Sequence, residues 1–95
     1  MEHEIKYTDQ LRGQIQDLTL LLLYLNSWVE RDASQPYRRS WKGYDFDDLN
    51  RLADEGFISE GRRTKSVVLY NEGIERARTL LAEYGIDLKA ASDGQ

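Results

Sequence analysis

The sequence predicts an α+β domain with a long N-terminal helix, a short central helix, a two-stranded antiparallel hairpin and a C-terminal helix. Three observations carry this. Apolar residues fall at Leu11, Ile15, Leu18, Leu22, Leu25 and Val29, the spacing of one helical face. The β-forming run Val67-Val68-Leu69-Tyr70 is separated from Phe57-Ile58 by a polar connector containing glycine. Gly56 and Gly85 stand where two further apolar helical patterns stop. A chain of 95 residues has room for one core, so a single domain is expected over residues 1–88, with a disordered tail over 89–95.

Thr8 or Asp9 can cap the first helix, because a side-chain oxygen there accepts from free first-turn N–H groups. Gly13 weakens its opening turns by about 1 kcal/mol relative to alanine. A second stripe, Leu21, Tyr24 and Trp28, runs beside the first, and from Leu18 to Leu25 the helix is apolar almost all round. Such a helix needs cover on more than one side. The first stripe is expected to face the core, leaving the second for the C-terminal helix or for a symmetric contact with another copy. Asp32 to Ser40 breaks the pattern and, with Ser34-Gln35-Pro36, reads as a loop. Asp45 then caps a helix whose buried face is Phe46, Leu49, Leu52 and Ala53. Asn71 is the expected cap of the last helix; Ile74, Ala77, Leu80, Leu81 and Tyr84 mark its buried side, and Ile86 and Leu88 fold back onto the core.

Composition removes whole classes of chemistry. Cysteine is absent and the only histidine is His3, so thiolate nucleophiles, cysteine-ligated metals and most neutral-pH acid–base catalysis are excluded. Ser27, Ser34, Ser40, Ser59 and Ser66 have no other histidine to activate them, and neither a G-x-S-x-G elbow nor a phosphate-binding glycine loop occurs. Asp45, Asp47 and Asp48 lack the spacing of a calcium loop, and first-turn acids complement a helix dipole without metal. No enzymatic activity, cofactor or metal is expected. The start Met1-Glu2-His3-Glu4 lacks the pattern of a signal peptide, and the longest apolar run, Leu20 to Leu25, is too short to span a bilayer. The expectation is a cytoplasmic protein without membrane association.

The net charge is −4, but it is unevenly spread. Residues 38–65 hold two basic clusters: Arg38, Arg39 and Lys42, then Arg62, Arg63 and Lys65 at the hairpin tip. If they share a face they form a phosphate-binding surface; otherwise they are solvated loop charges. Trp28, Tyr37, Trp41, Tyr44 and Phe46 are dense aromatics over the same region. Beside arginines such rings can stack on unpaired bases or anchor a protein interface. The preferred reading is that Trp41, Tyr44 and Phe46 pin an irregular loop to the core.

A helix, a glycine stop and a hairpin with a basic tip make the second half of a winged helix-turn-helix. The stretch Leu49-Asn50-Arg51-Leu52-Ala53-Asp54-Glu55-Gly56-Phe57-Ile58, followed by Val68-Leu69-Tyr70-Asn71-Glu72-Gly73, resembles winged-helix regulators of the MarR and PadR type. The resemblance implies a recognition helix, a two-stranded wing and dimerisation through flanking helices. The sequence departs from it twice. Only Pro36 to Tyr44 is left for the preceding helix, and the central helix sets Asp45, Asp47, Asp48, Asp54 and Glu55 against Arg51, a charge balance that phosphate rows repel. A closer resemblance covers about residues 18–84. Leu18 to Leu25, Ser40-Trp41-Lys42-Gly43-Tyr44-Asp45-Phe46-Asp47, Gly56-Phe57-Ile58 and Lys65-Ser66-Val67-Val68-Leu69 are similar to a family of small, mainly bacterial domains of unknown function. That resemblance implies a natural stand-alone domain and carries no activity with it.

The leading functional expectation is non-catalytic, regulatory nucleic-acid binding, with duplex DNA as partner, through Arg62, Arg63, Lys65, Arg38, Arg39 and Lys42. The rival is a protein-interaction or dimerisation module, using Leu21, Tyr24 and Trp28 for self-association or the acidic central helix for a basic partner.

Overall fold

The computed structural model describes residues 4–31, 34–61 and 63–88. Helix α1 spans Asp9–Leu25, strand β1 Trp28–Glu30, strand β2 Tyr37–Trp41, helix α2 Phe46–Asp54, strand β3 Ser66–Leu69 and helix α3 Asn71–Glu83. The expected α+β composition is present, but the sheet differs from the expected two-stranded hairpin. It has three antiparallel strands in the order β1-β2-β3.

The helix ends follow local chemistry. The Thr8 hydroxyl accepts from Leu11 N at 3.1 Å, and the Asp45 carboxylate accepts from Asp47 N at 2.9 Å, closing the first turns of α1 and α2. Gly56 and Gly85 follow α2 and α3 with φ of 80° and 68°, a left-handed backbone that favours glycine. The cap of α3 is Tyr70 rather than Asn71, and its side chain makes no capping hydrogen bond.

The segment read as a loop supplies β2, the central strand. Opposed residues in a ladder share a face, so Arg38 and Ser40 point with Leu69 and Val67 toward the helices, while Tyr37, Arg39 and Trp41 point away. The usual alternation is inverted, with aromatics outside and polar groups inside. Nothing in its apolar pattern therefore marked the segment as a strand. The expected hairpin shrinks to one bridge, Ile58 to Leu69, supported by Ser59 N to Val68 O at 2.9 Å and Tyr70 N to Phe57 O at 3.0 Å. The N–H of Val68 donates to the Ser59 hydroxyl at 2.9 Å, not to a backbone carbonyl.

The core joins all three helices to the inner sheet face. Leu20 and Leu23 of α1, Leu52 of α2, Ile58, and Ala77 and Leu80 of α3 are buried with Val67 and Leu69. The phase of α1 corrects the sequence reading. Leu21 and Tyr24 are buried, whereas Leu18, Leu22 and Leu25 are 41%, 45% and 37% exposed. The Leu18, Leu22 and Leu25 part of the stripe expected to face the core faces outward, Leu11, Ile15 and Val29 are half-buried, and Leu21 and Tyr24 are core residues rather than a free self-association surface. Leu20 to Leu25 are all apolar, so the sequence sets no rotation there. An ion pair from Arg76 Nη2 to Asp17 Oδ2, 3.1 Å, ties α3 to α1. Tyr84, Ile86 and Leu88, expected on the core, are 45%, 38% and 39% exposed. The tail expected over 89–95 lies outside the described residues. No helix among the described residues is long and apolar enough to cross a membrane.

Candidate functional site

The outer face of the sheet gathers what the sequence scatters. The register sets Trp28 opposite Arg39 and Arg39 opposite Val68, with Glu30 opposite Tyr37 and Trp41 opposite Ser66. These side chains therefore project from one face. The Trp28 and Trp41 rings lie 4.9 Å apart between centroids, tilted by 45°. The Trp28 indole N–H donates to Glu30 Oε2 at 2.8 Å, which fixes that ring, while Trp41 is 61% exposed.

Arg39 lies within this aromatic surface. Its Nε donates to Ser66 Oγ at 2.8 Å and its Nη2 to the Ser66 carbonyl at 3.4 Å, and its guanidinium carbon stands 6.0 Å from the Tyr37 ring centroid. Guanidinium has five N–H donors, so donors remain for a ligand. Lys42, just past β2, extends the ladder by donating N–H to Lys65 O at 3.2 Å, and its Nζ donates to Gly61 O. Gly61 has a φ of 59°, and a Cβ there would meet Val67 Cγ1 at 3.0 Å, so the turn it makes requires glycine. The Thr64 hydroxyl closes that turn onto Ser66 O at 2.5 Å. Arg63 and Lys65 are exposed in this connector, and Arg62 lies outside the described residues.

The expected basic surface is thus only partly assembled. Arg38 belongs to the opposite face. Its guanidinium covers the Tyr24 ring at 5.3 Å from the centroid, and its Nη1 donates to Ser27 Oγ at 2.8 Å. The same Tyr24 pushes the Arg78 pKa further up, chiefly through a side-chain hydrogen bond.

Of the aromatics expected to pin a loop, only Tyr44 packs against the core, with Asn26 Nδ2 donating to its hydroxyl at 3.4 Å. Trp41 and Phe46 are 61% and 66% exposed, which corrects the core reading for both. An open groove of about 400 Å³ runs between Asn26, Ser40, Trp41, Gly43 and Tyr44. The Ser40 hydroxyl is buried without a hydrogen-bond partner among the described residues.

Carboxylates in and next to α2 have local partners. Asp48 is buried and pairs with Arg51 at 3.8 Å, and Glu55 accepts a hydrogen bond from Gln16 of α1. Among the described residues no group of three or more His, Asp or Glu side chains is placed to hold a metal ion.

The chain matches the family described as "Domain of unknown function (DUF6429)" over residues 12–87. It is similar to "Uncharacterized protein y4hR" of Sinorhizobium fredii (strain NBRC 101917 / NGR234), at 37% identity over 68 residues, covering 70% of this chain and 82% of that protein. No solved structure matches it. The family match includes Trp28, Arg39, Trp41, Lys42, Arg63 and Lys65.

Proposed function

The chain belongs to the DUF6429 family of domains of unknown function, and from that premise we propose that it is a non-catalytic nucleic-acid-binding domain. The observation that carries this reading is charge placement. Ion pairs join Arg51 to Asp48 and Arg76 to Asp17, and neither draws on Arg39, Lys42, Arg63 or Lys65. Residues 59–66 set Glu60 against Arg62, Arg63 and Lys65, a local excess of cations in an acidic protein. Phosphates follow such local excess, because counterion release depends on the cations at the contact. The non-catalytic character rests on composition: no cysteine, and a lone histidine at position 3.

A winged-helix use of the fold is supported by β3 lying between β2 and Ile58, and by α2 leading directly into that edge. In this reading the sheet and connector face the ligand, and the acidic α2 does not. The test is fluorescence anisotropy of a labelled random-sequence DNA, duplex and single-stranded, at low and moderate salt. Binding weakens as salt rises, and the double substitution Arg63→Ala/Lys65→Ala flattens the log–log slope by about one for each phosphate the protein no longer neutralises. An unchanged slope would remove the connector from the interface.

A second reading, self-association, is favoured by the exposed stripe of Leu18, Leu22 and Leu25 on α1. Two copies related by a two-fold axis would bury these leucines against each other. Light scattering of the wild type and of Leu22→Glu decides it. A dimer that becomes a monomer supports the contact; a monomer in both removes it.

A further inference from the structure

We propose that the outer sheet face is a stacking platform for unpaired bases, so that the ligand is single-stranded nucleic acid rather than duplex. This inference rests on the nucleic-acid-binding reading above and names its substrate class.

The first argument is the exposure of Trp41. An indole 61% exposed on the central strand leaves a large apolar ring in water. Trp28 lies against it, but the 45° tilt keeps the rings from covering one another face to face. An incoming base can therefore extend an aromatic surface that already exists. Stacking of this kind tolerates any base, because every base presents a π-face.

The second argument is the position of the charge. Arg39 and Trp41 alternate along β2, so their Cα atoms stand roughly 7 Å apart on the same face. A base seated on Trp41 leaves its backbone within reach of the Arg39 guanidinium. Ser66 holds that guanidinium in place through Nε and Nη2, so little freedom is lost when a phosphate arrives. Arg63 and Lys65 continue the positive charge into the connector. Glu30 is the acid on this face, and its carboxylate is engaged by the Trp28 indole N–H. A polyanion with apolar rings complements this mixture, which neither a purely apolar nor a basic partner does.

The third argument is shape. A major groove about 12 Å wide admits a helix or a two-stranded ribbon. Three paired strands with tryptophans standing on them are too broad to enter, and bases inside a duplex are already stacked on each other.

Trp28 and Trp41 are the two tryptophans of the chain, so intrinsic emission reads this face directly. The full chain is titrated with a 12-mer of oligothymidylate and, separately, with a blunt mixed-sequence duplex, following tryptophan emission and the anisotropy of end-labelled strands. The single strand is expected to quench emission saturably and to bind more tightly than the duplex. Trp41→Ala is expected to weaken single-strand binding by about tenfold or more, with Trp41→Phe retaining most of it. Thermal denaturation of each variant confirms that the exposed site was changed without loss of the fold.

Duplex binding as tight as single-strand binding, with no quenching and no effect of Trp41→Ala, overturns the platform while leaving the nucleic-acid reading intact. Single-strand binding that leaves emission and the Trp41 variants unchanged likewise places the ligand elsewhere and overturns it. No binding of either nucleic acid at low salt overturns both readings and leaves the face to a protein partner.

Discussion

A Cβ placed on Gly73 would lie 2.2 Å from the carbonyl oxygen of Phe57. That oxygen also accepts the Tyr70 N–H at 3.0 Å, so the first turn of α3 and the segment leaving α2 share one carbonyl. The obstruction is backbone, and no side chain can rotate away to relieve it. Gly73→Ala should therefore destabilise by about 1–3 kcal/mol or more, the usual cost of forced overpacking. Denaturant unfolding measures this; a loss below about 0.5 kcal/mol would be the scale of an ordinary surface change and would refute the close approach.

Arg38 and Arg39 are neighbours in sequence and point to opposite faces of the sheet. Arg38→Ala should cost about 1 kcal/mol of stability, because it strips the guanidinium from the Tyr24 ring and from the Ser27 hydroxyl. Nucleic-acid affinity should stay unchanged. Arg39→Ala should reverse the pattern, lowering the salt slope of binding by about one. The pair measured side by side, by unfolding and by anisotropy, separates structural from ligand-facing charge. Equal effects on both readouts would contradict the register.

The buried Ser40 hydroxyl has no hydrogen-bond partner among the described residues. An unpaired buried hydroxyl carries a desolvation cost, so Ser40→Ala should be neutral or stabilising by up to about 1 kcal/mol. Destabilisation on thermal melting would mean that this hydroxyl is satisfied in solution.

The rotation of α1 makes its own prediction. Leu23 is fully buried and Leu22 is 45% exposed. Leu23→Ala should cost about 2–5 kcal/mol. Leu22→Ala should fall within about 0.5 kcal/mol in the monomer. Comparable losses would mean that α1 packs on the face its apolar spacing indicates.

Much of the helical framework was legible because it is written in local chemistry. Thr8, Asp45, Gly56 and Gly85 act within a turn of where they stand, and each marks a boundary where expected. What failed was whatever depended on rotation or partnership. Leu20 to Leu25 present apolar side chains in every direction, so which of them became core was decided by packing. β2 hides itself by turning Arg38 and Ser40 inward and Tyr37, Arg39 and Trp41 outward. The aromatic and basic groups of the candidate site were each visible as short stretches. Their meeting on one face needed a register no linear pattern contains, and that register also removed Arg38 from the group.

The margins of the sheet bear on how such a face can stay open. β1 is three residues long, and the opposite margin is a single bridge at Ile58, where the Ser59 hydroxyl occupies a position a backbone carbonyl would otherwise fill. Neither border offers a long row of unpaired backbone groups for a foreign strand to zip onto. Strand addition at either border is thus disfavoured while tryptophan stays exposed on the sheet, so contacts through this face form along the normal to the sheet rather than in its plane.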